Sequence, residues 1–161
     1  MTISERALDD WADRWDEVHP RYLELIRSAE AELGRDATGS ATGNQEILTR
    51  RKANLDAGRP WWQGIGTPGQ HVVYQLSAAH REGCRDLGTV YIGVTSHLSR
   101  RLETHSRRLW WPLVHPLGAE FHVMPTRRAA EELEALMIHA EQPLANRAGR
   151  ELVVRYLDVA R

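Results

Sequence analysis

Cysteine is nearly absent from this sequence: Cys84 stands alone among 161 residues. A single thiol excludes an internal disulfide framework and any cysteine-rich zinc site. Long apolar runs are missing as well. No stretch of about 18 apolar residues occurs, so no membrane-spanning helix is expected. The opening residues, Met1 to Trp11, are acidic and lack the apolar centre of a secretory signal, and the cytoplasm is the expected location. Lysine is as rare as cysteine. With Lys52 alone, the positive charge is nearly all guanidinium, a group suited to bidentate phosphate contact, although a bias in codon composition would look the same. Internal repeats and long low-complexity segments are also lacking.

What is present is the make-up of a globular protein, 42% apolar and 27% charged. The length suits one ordinary domain, or a compact domain with a helical extension. A net charge of −1 conceals an asymmetry. Residues 1–36 carry five arginines against ten carboxylates, a net −5, whereas residues 70–161 carry twelve against ten, a net +2.

Along the chain, Leu8, Trp11, Trp15 and Val18 recur at helical spacing, and Pro20 marks a second start or a kink before the stripe Tyr22, Leu25, Ile26, Ala29 and Leu33. Gly34 to Asn44 reads as a linker, and Gln45 to Ala57 as another helix. The run Arg50, Arg51 and Lys52 on that helix is either a solvated face or a track for nucleic acid. Trp61 to Gln70 is a loop. Its glycines are not a phosphate cradle, because no Gly-Lys-Ser/Thr follows and no strand precedes, and its tryptophans are expected to fasten the extension to the domain. His71–Leu76 and Gly88–Val94 read as two strands of a hairpin, Ala119–Pro125 as a third strand and Thr126–His139 as a helix; Leu152–Leu157 is a short final strand or helix. The expected fold is α+β, a small three-stranded antiparallel sheet flanked by helices, in a domain 70–161 preceded by a helical extension 1–69 with its linker near 34–44.

The centre of the second half is Val90-Tyr91-Ile92-Gly93-Val94-Thr95, followed by Ser96 to His105. A β-branched and aromatic run favours a strand, Gly93 permits a bend, and Thr95 or Ser96 offers a helix cap. On the ensuing helix, 96–109, Leu98, Leu102 and Leu109 form a core stripe, with Arg101, His105 and Arg108 alongside. A tyrosine at a strand end thereby faces a cationic helix edge, a setting able to hold a phosphate. On the helix 126–139, Ala130, Leu133, Met137 and Ile138 cover one arc, and Glu134 falls inside it. A carboxylate on a buried face costs several kcal/mol unless compensated. Two compensations are open: an arginine of the neighbouring helix, or a hard divalent cation bound through oxygen, with Asn146 closing the same site.

These pieces, in this order, resemble the GIY-YIG nuclease superfamily. The resemblance spans about residues 71–146 and rests on Val72-Val73-Tyr74, Tyr91-Ile92-Gly93, Arg101, His105, Glu134 and Pro143-Leu144-Ala145-Asn146. Arg101 lies ten residues after Tyr91, His105 four later, and Glu134 twelve before Asn146. The resemblance implies phosphodiester hydrolysis of nucleic acid, most readily DNA, with one Mg²⁺ or Mn²⁺ ligated by Glu134. It further implies charge neutralisation by Arg101, Tyr74 as general base, Tyr91 orienting the water or phosphate, His105 relaying a proton or binding phosphate, and Asn146 holding the network. Three features depart from the pattern: the first glycine of GIY is lost at Val72-Val73-Tyr74, Val94 stands where some members carry lysine, and the connection between the tyrosines is longer. None removes an indispensable residue, so an active enzyme is the expected reading; the lost glycine and the absent lysine support the alternative of a weak or inactive module that binds nucleic acid or a partner.

For recognition, Arg50, Arg51 and Lys52, with Arg100, Arg107 and Arg108, are expected to track a nucleic-acid backbone. The acidic first helix is expected either to cover a basic cleft or to form a homodimer. No zinc finger or helix-turn-helix pattern is present to name a target.

Overall fold

The computed structural model describes residues 5–34, 42–78 and 88–147. The final segment expected at Leu152–Leu157, the hairpin connection from His80 to Leu87 and most of the linker lie outside the described residues. Helix α1 (Glu5–Leu33) precedes α2 (Thr42–Asp56). Strands β1 (His71–Ser77) and β2 (Thr89–Thr95) follow, then α3 (Leu98–His105), β3 (Ala119–Met124), α4 (Arg127–Glu141) and α5 (Leu144–Arg147). Pro20 lies within α1 without dividing it, so the two expected segments are one helix. Among the described residues no helix is long and apolar enough to cross a membrane.

The sheet is antiparallel in the order β2-β1-β3. The hairpin partner β2 takes one side of β1 and the later β3 takes the other, which leaves β2 on an edge. Both faces of β1 are buried, because five consecutive residues from Val72 to Leu76 alternate between two cores. One core joins Val72, Tyr74, Leu76, Phe121 and Val123 to Ile47 of α2, Trp61 and Ile65 of the loop, and Leu98 and Leu102 of α3. The other joins Val73, Ile92 and Met124 to Leu25 and Ala29 of α1 and to Ala130, Leu133 and Met137 of α4. The segment 1–69 therefore supplies residues to both cores. Its tryptophans serve the fold as expected: Trp61 is buried and stacks on Trp111, 5.8 Å between ring centres.

The apolar stripe of α1 lies on α4, and polar contacts fix the pairing. Trp11 and Trp15 donate their indole N–H groups to the two oxygens of Glu141, and Arg21 grips Glu132 with two nitrogens at 2.7 and 2.9 Å. Under α1, His122 of β3 meets the edge of Tyr22, and its Nε2 is buried without a hydrogen-bond partner among the described residues. Burial lowers this imidazole to about 4. The unfolded chain therefore binds more protons between about pH 6.5 and 4, and stability falls as pH falls through that window. The expected slope is up to about 1.4 kcal/mol per pH unit from this one group. Urea unfolding of the wild type and of His122→Phe between pH 7.5 and 4.5 checks it. Equal pH slopes for the two would show that His122 contributes nothing.

Helix α3 is shorter than its apolar spacing suggested. It ends at His105, whose C-cap Ser106 starts a series of turns. Leu109 therefore leaves the stripe and is half exposed, while His105 joins Leu98 and Leu102 on the buried side. Arg108 lies beyond the helix. Helix α4 begins as expected: the Thr126 hydroxyl accepts from the Ala129 N–H at 3.1 Å. Gln142 ends it in the left-handed region at φ 49°.

Candidate functional site

Tyr74 lies at the middle of the central strand, directly opposite Gly93 of β2, and is fully buried. Alternation along β2 sends Tyr91 and Gly93 to the same face of the sheet, beneath α3. Gly93 is not the bend that the sequence implied. It sits inside β2, and its value is room. A Cβ there would lie 2.5 Å from Oη and 2.7 Å from Cζ of Tyr74, and 2.8 Å from Cε1 of Tyr91. Gly93→Ala must push the Tyr74 ring off its seat. The expected cost is about 1–3 kcal/mol of stability, measured by urea unfolding; an unchanged midpoint would mean that the ring has slack to move.

The seat matters because of what Tyr74 reaches. Its hydroxyl lies 2.7 Å from Nε2 of His105, across the core from α3. Burial raises the phenol well above its ordinary value, with the Tyr91 hydroxyl adding to the rise and Arg101 opposing it. Burial likewise lowers His105 to about 4, helped by the charges of Arg101 and Arg108. Both groups are thus neutral near pH 7, and the imidazole tautomer sets which of them donates in the hydrogen bond they share. The other ring nitrogen, Nδ1, is buried and finds no partner among the described residues.

Tyr91 is half-buried and stacks with Tyr74 at 5.9 Å, over the central pair. Its other neighbours are His105, at 4.5 Å between ring centres, and Trp110, almost parallel at 5.2 Å. Nothing in the local sequence pattern marks Trp110 as a site residue. It stands five residues after His105, one turn beyond the end of α3.

Asn146 enters from α5. Its Oδ1 accepts from the Ile92 N–H and its Nδ2 donates to the Ile92 carbonyl, both at 2.9 Å. The amide thus pairs with the free edge of β2 as another strand would, and holds the strand that carries Tyr91. This is a positioning role.

Glu134 is half-buried on α4, at the rim of the core containing Ala130, Leu133 and Met137. Burial raises its carboxyl above the usual range and Glu131 adds to the rise, while Arg101 lowers it. No hydrogen bond or ion pair joins it to another described residue, so the neighbouring-helix salt bridge is not formed. Arg101 is exposed on α3 and is itself without an ion pair among the described residues, yet its charge acts on Tyr74, His105 and Glu134 alike. The carboxylate, the guanidinium and the phenol–imidazole pair therefore share one electrostatic neighbourhood.

Beside Arg101 opens a cleft of about 360 Å³, whose lining includes His71, Ser96, His97, Arg100, Arg101 and Arg127. Among the described residues no carboxylate lines it, and none from α1 does. The remaining arginines expected on a nucleic-acid track separate. Arg51 turns inward: its guanidinium donates to the Pro116 and Ala119 carbonyls and lies over Phe121 at 5.9 Å, which fastens α2 to the start of β3. Arg50 lies against Gly64, Lys52 is exposed, Arg107 pairs with Glu103 at 3.7 Å, and Arg108 is exposed beyond α3. Only Arg100 of that set lines the cleft.

Comparison with protein-family models, with curated proteins and with solved structures finds no match to this chain.

Proposed function

We propose that the protein is a metal-dependent endonuclease of the GIY-YIG type, hydrolysing phosphodiester bonds of nucleic acid, most readily DNA. One observation carries the reading: Glu134, half-buried and without a hydrogen-bonding or ionic partner among the described residues, shares the influence of Arg101 with a buried phenol–imidazole pair. A carboxylate placed so has lost hydration without gaining a salt bridge, and a cation would restore the balance.

The donor set suits one kind of ion. No group of three or more His, Cys, Asp or Glu able to hold a metal occurs among the described residues, so an all-protein cage is lacking. Mg²⁺ and Mn²⁺ favour oxygen, and Mg²⁺ commonly takes one or two carboxylates and leaves its other positions to water and substrate phosphate. Glu134 would hold such an ion, which when bound supplies Lewis-acid stabilisation of charge on the phosphate and leaving oxygens.

The chain's own groups do the rest. Arg101 sits where a guanidinium can face charge building on the phosphate oxygens. Tyr91 is the phenol nearer the surface and orients the attacking water, while Tyr74 and His105 behind it form a chain along which a proton can move. With the imidazole proton on Nδ1, the proton leaving the water passes through the Tyr91 hydroxyl to the Tyr74 oxygen as the Tyr74 proton passes to Nε2 of His105, which ends as the imidazolium, so no phenolate need exist at rest. This division answers the depth of Tyr74, which leaves its hydroxyl no contact with bulk water. Asn146 keeps β2, and with it Tyr91, in place.

That same depth favours a second reading, a module that binds nucleic acid without cutting it, since a phenol held so firmly neutral is a poor base unaided. Incubation with single-stranded DNA, duplex DNA and RNA, in Mg²⁺, Mn²⁺ or EDTA, separates the two. Cleavage with metal and none in EDTA supports the enzyme. Tight binding with no cleavage in either metal supports the module.

A further inference from the structure

We infer that the cleft beside Arg101 is a second phosphate site, which holds a backbone phosphate of the nucleic acid flanking the one to be cut, with Arg100 and Arg127 as its principal cations. The inference rests on the proposed action on nucleic acid, and adds to it the residues that seat the strand.

Four elements build the cleft. His71 opens β1, Ser96 and His97 follow β2, Arg100 and Arg101 come from the first turn of α3, and Arg127 begins α4. Residues distant in sequence thus converge on one concavity with three guanidiniums on its walls and, among the described residues, no carboxylate. Neither Arg100 nor Arg101 forms an ion pair with a described residue. Arg127 has one partner among the described residues, Glu131, at 2.8 Å on the exposed side of α4. The lining therefore carries an unbalanced positive charge, and planar guanidiniums with adjacent hydroxyl and imidazole groups match phosphate oxygens.

Position decides which phosphate. The cleft wall includes Val94 and Thr95 at the end of β2, whereas Tyr91 lies three and four residues earlier on that strand. At about 3.3 Å per residue the separation is roughly 10–13 Å, too far for one phosphate to serve both places. Arg101 belongs to both, lining the cleft while acting on Tyr74, His105 and Glu134. A strand crossing from the catalytic groups over Arg101 would lay a neighbouring phosphate between Arg100 and Arg127. The cleft then fixes direction along the strand.

The test measures binding in EDTA, where cleavage plays no part. Fluorescein-labelled 20-nucleotide DNA, the matching duplex and 20-nucleotide RNA are titrated with wild type, Arg127→Gln, Arg100→Gln and the double variant over 50–200 mM salt. Arg27→Gln, an exposed position on α1, is the charge-matched control, and circular dichroism verifies folding. The expected result is weaker binding of the preferred probe, with the slope of log K against log salt reduced by about 0.7–0.9 for each cleft arginine removed. Arg27→Gln should keep the wild-type affinity. Wild-type affinity and slope in the double variant would overturn the proposal even if the protein cuts DNA, as would failure of the wild type to bind any of the three probes. Loss of binding in the cleft variants alongside a wild type that never cleaves would uphold the cleft and reject the hydrolase.

Discussion

Glu134→Gln is expected to cripple metal-dependent cleavage, lowering kcat by about a hundred- to a thousandfold, on the scale seen when one electrostatic stabiliser of a transition state is removed. The amide keeps the size and most of the hydrogen-bonding capacity of the carboxylate, so the packing of α4 through Ala130, Leu133 and Met137 survives. What it removes is the negative charge that a divalent cation needs. Because burial raises the native carboxyl above its usual range, removing its charge relieves a desolvation cost. The variant should therefore unfold at the same or a higher urea concentration than wild type. Reduced activity combined with undiminished stability separates a ligand from a structural ion pair, whose loss would weaken the fold. Cleavage within tenfold of wild type in saturating Mn²⁺ would remove Glu134 from the chemistry, and the metal proposal with it.

The second large effect belongs to the buried pair. His105→Ala deprives Tyr74 of its hydrogen-bond partner 2.7 Å away. It should lower kcat by roughly 10²–10⁴, the range contributed by a positioned proton-transfer group, while affinity for DNA in EDTA stays within a few-fold. The pH profile gives an independent measure. With His105 lowered to about 4, the neutral imidazole is present throughout pH 5–8 and is lost only as pH falls through about 4. The acid limb of kcat should therefore lie near 4, and not near the ordinary histidine value of about 6.5. An acid limb near 6.5 would show that His105 is charged at rest and that another group accepts the proton. Since His122 also weakens the fold in acid, the profile is best taken in His122→Phe, which leaves the catalytic groups untouched.

The three strands and the helix carrying Glu134 were legible because each is written in local spacing. Period-two and period-3.6 patterns act on neighbours in the chain. Ends and partners were less legible. Leu109 kept helical spacing with Leu102, yet α3 stopped at His105, because the turns leading into Trp110 and Trp111 put those rings against Tyr91 and Trp61. The final choice was between two apolar arrangements, and packing across the molecule made it. Arg51 looked like part of a basic run; two carbonyls of a segment more than sixty residues away claimed its guanidinium.

By itself the sequence determined which side chains could take part: two tyrosines, an arginine, a histidine and a misplaced carboxylate, in an order that resembles one nuclease family. Tertiary structure decided what each can do. It set Tyr74 opposite a residue with no side chain, so that a full phenol fits within the sheet's core and reaches an imidazole. It drew one charge, Arg101, between the carboxylate and the cleft. The physical reason is range: secondary structure follows from contacts a few residues apart, whereas burial, field and proton affinity depend on everything that folds to within a few ångströms, wherever it stands in the chain.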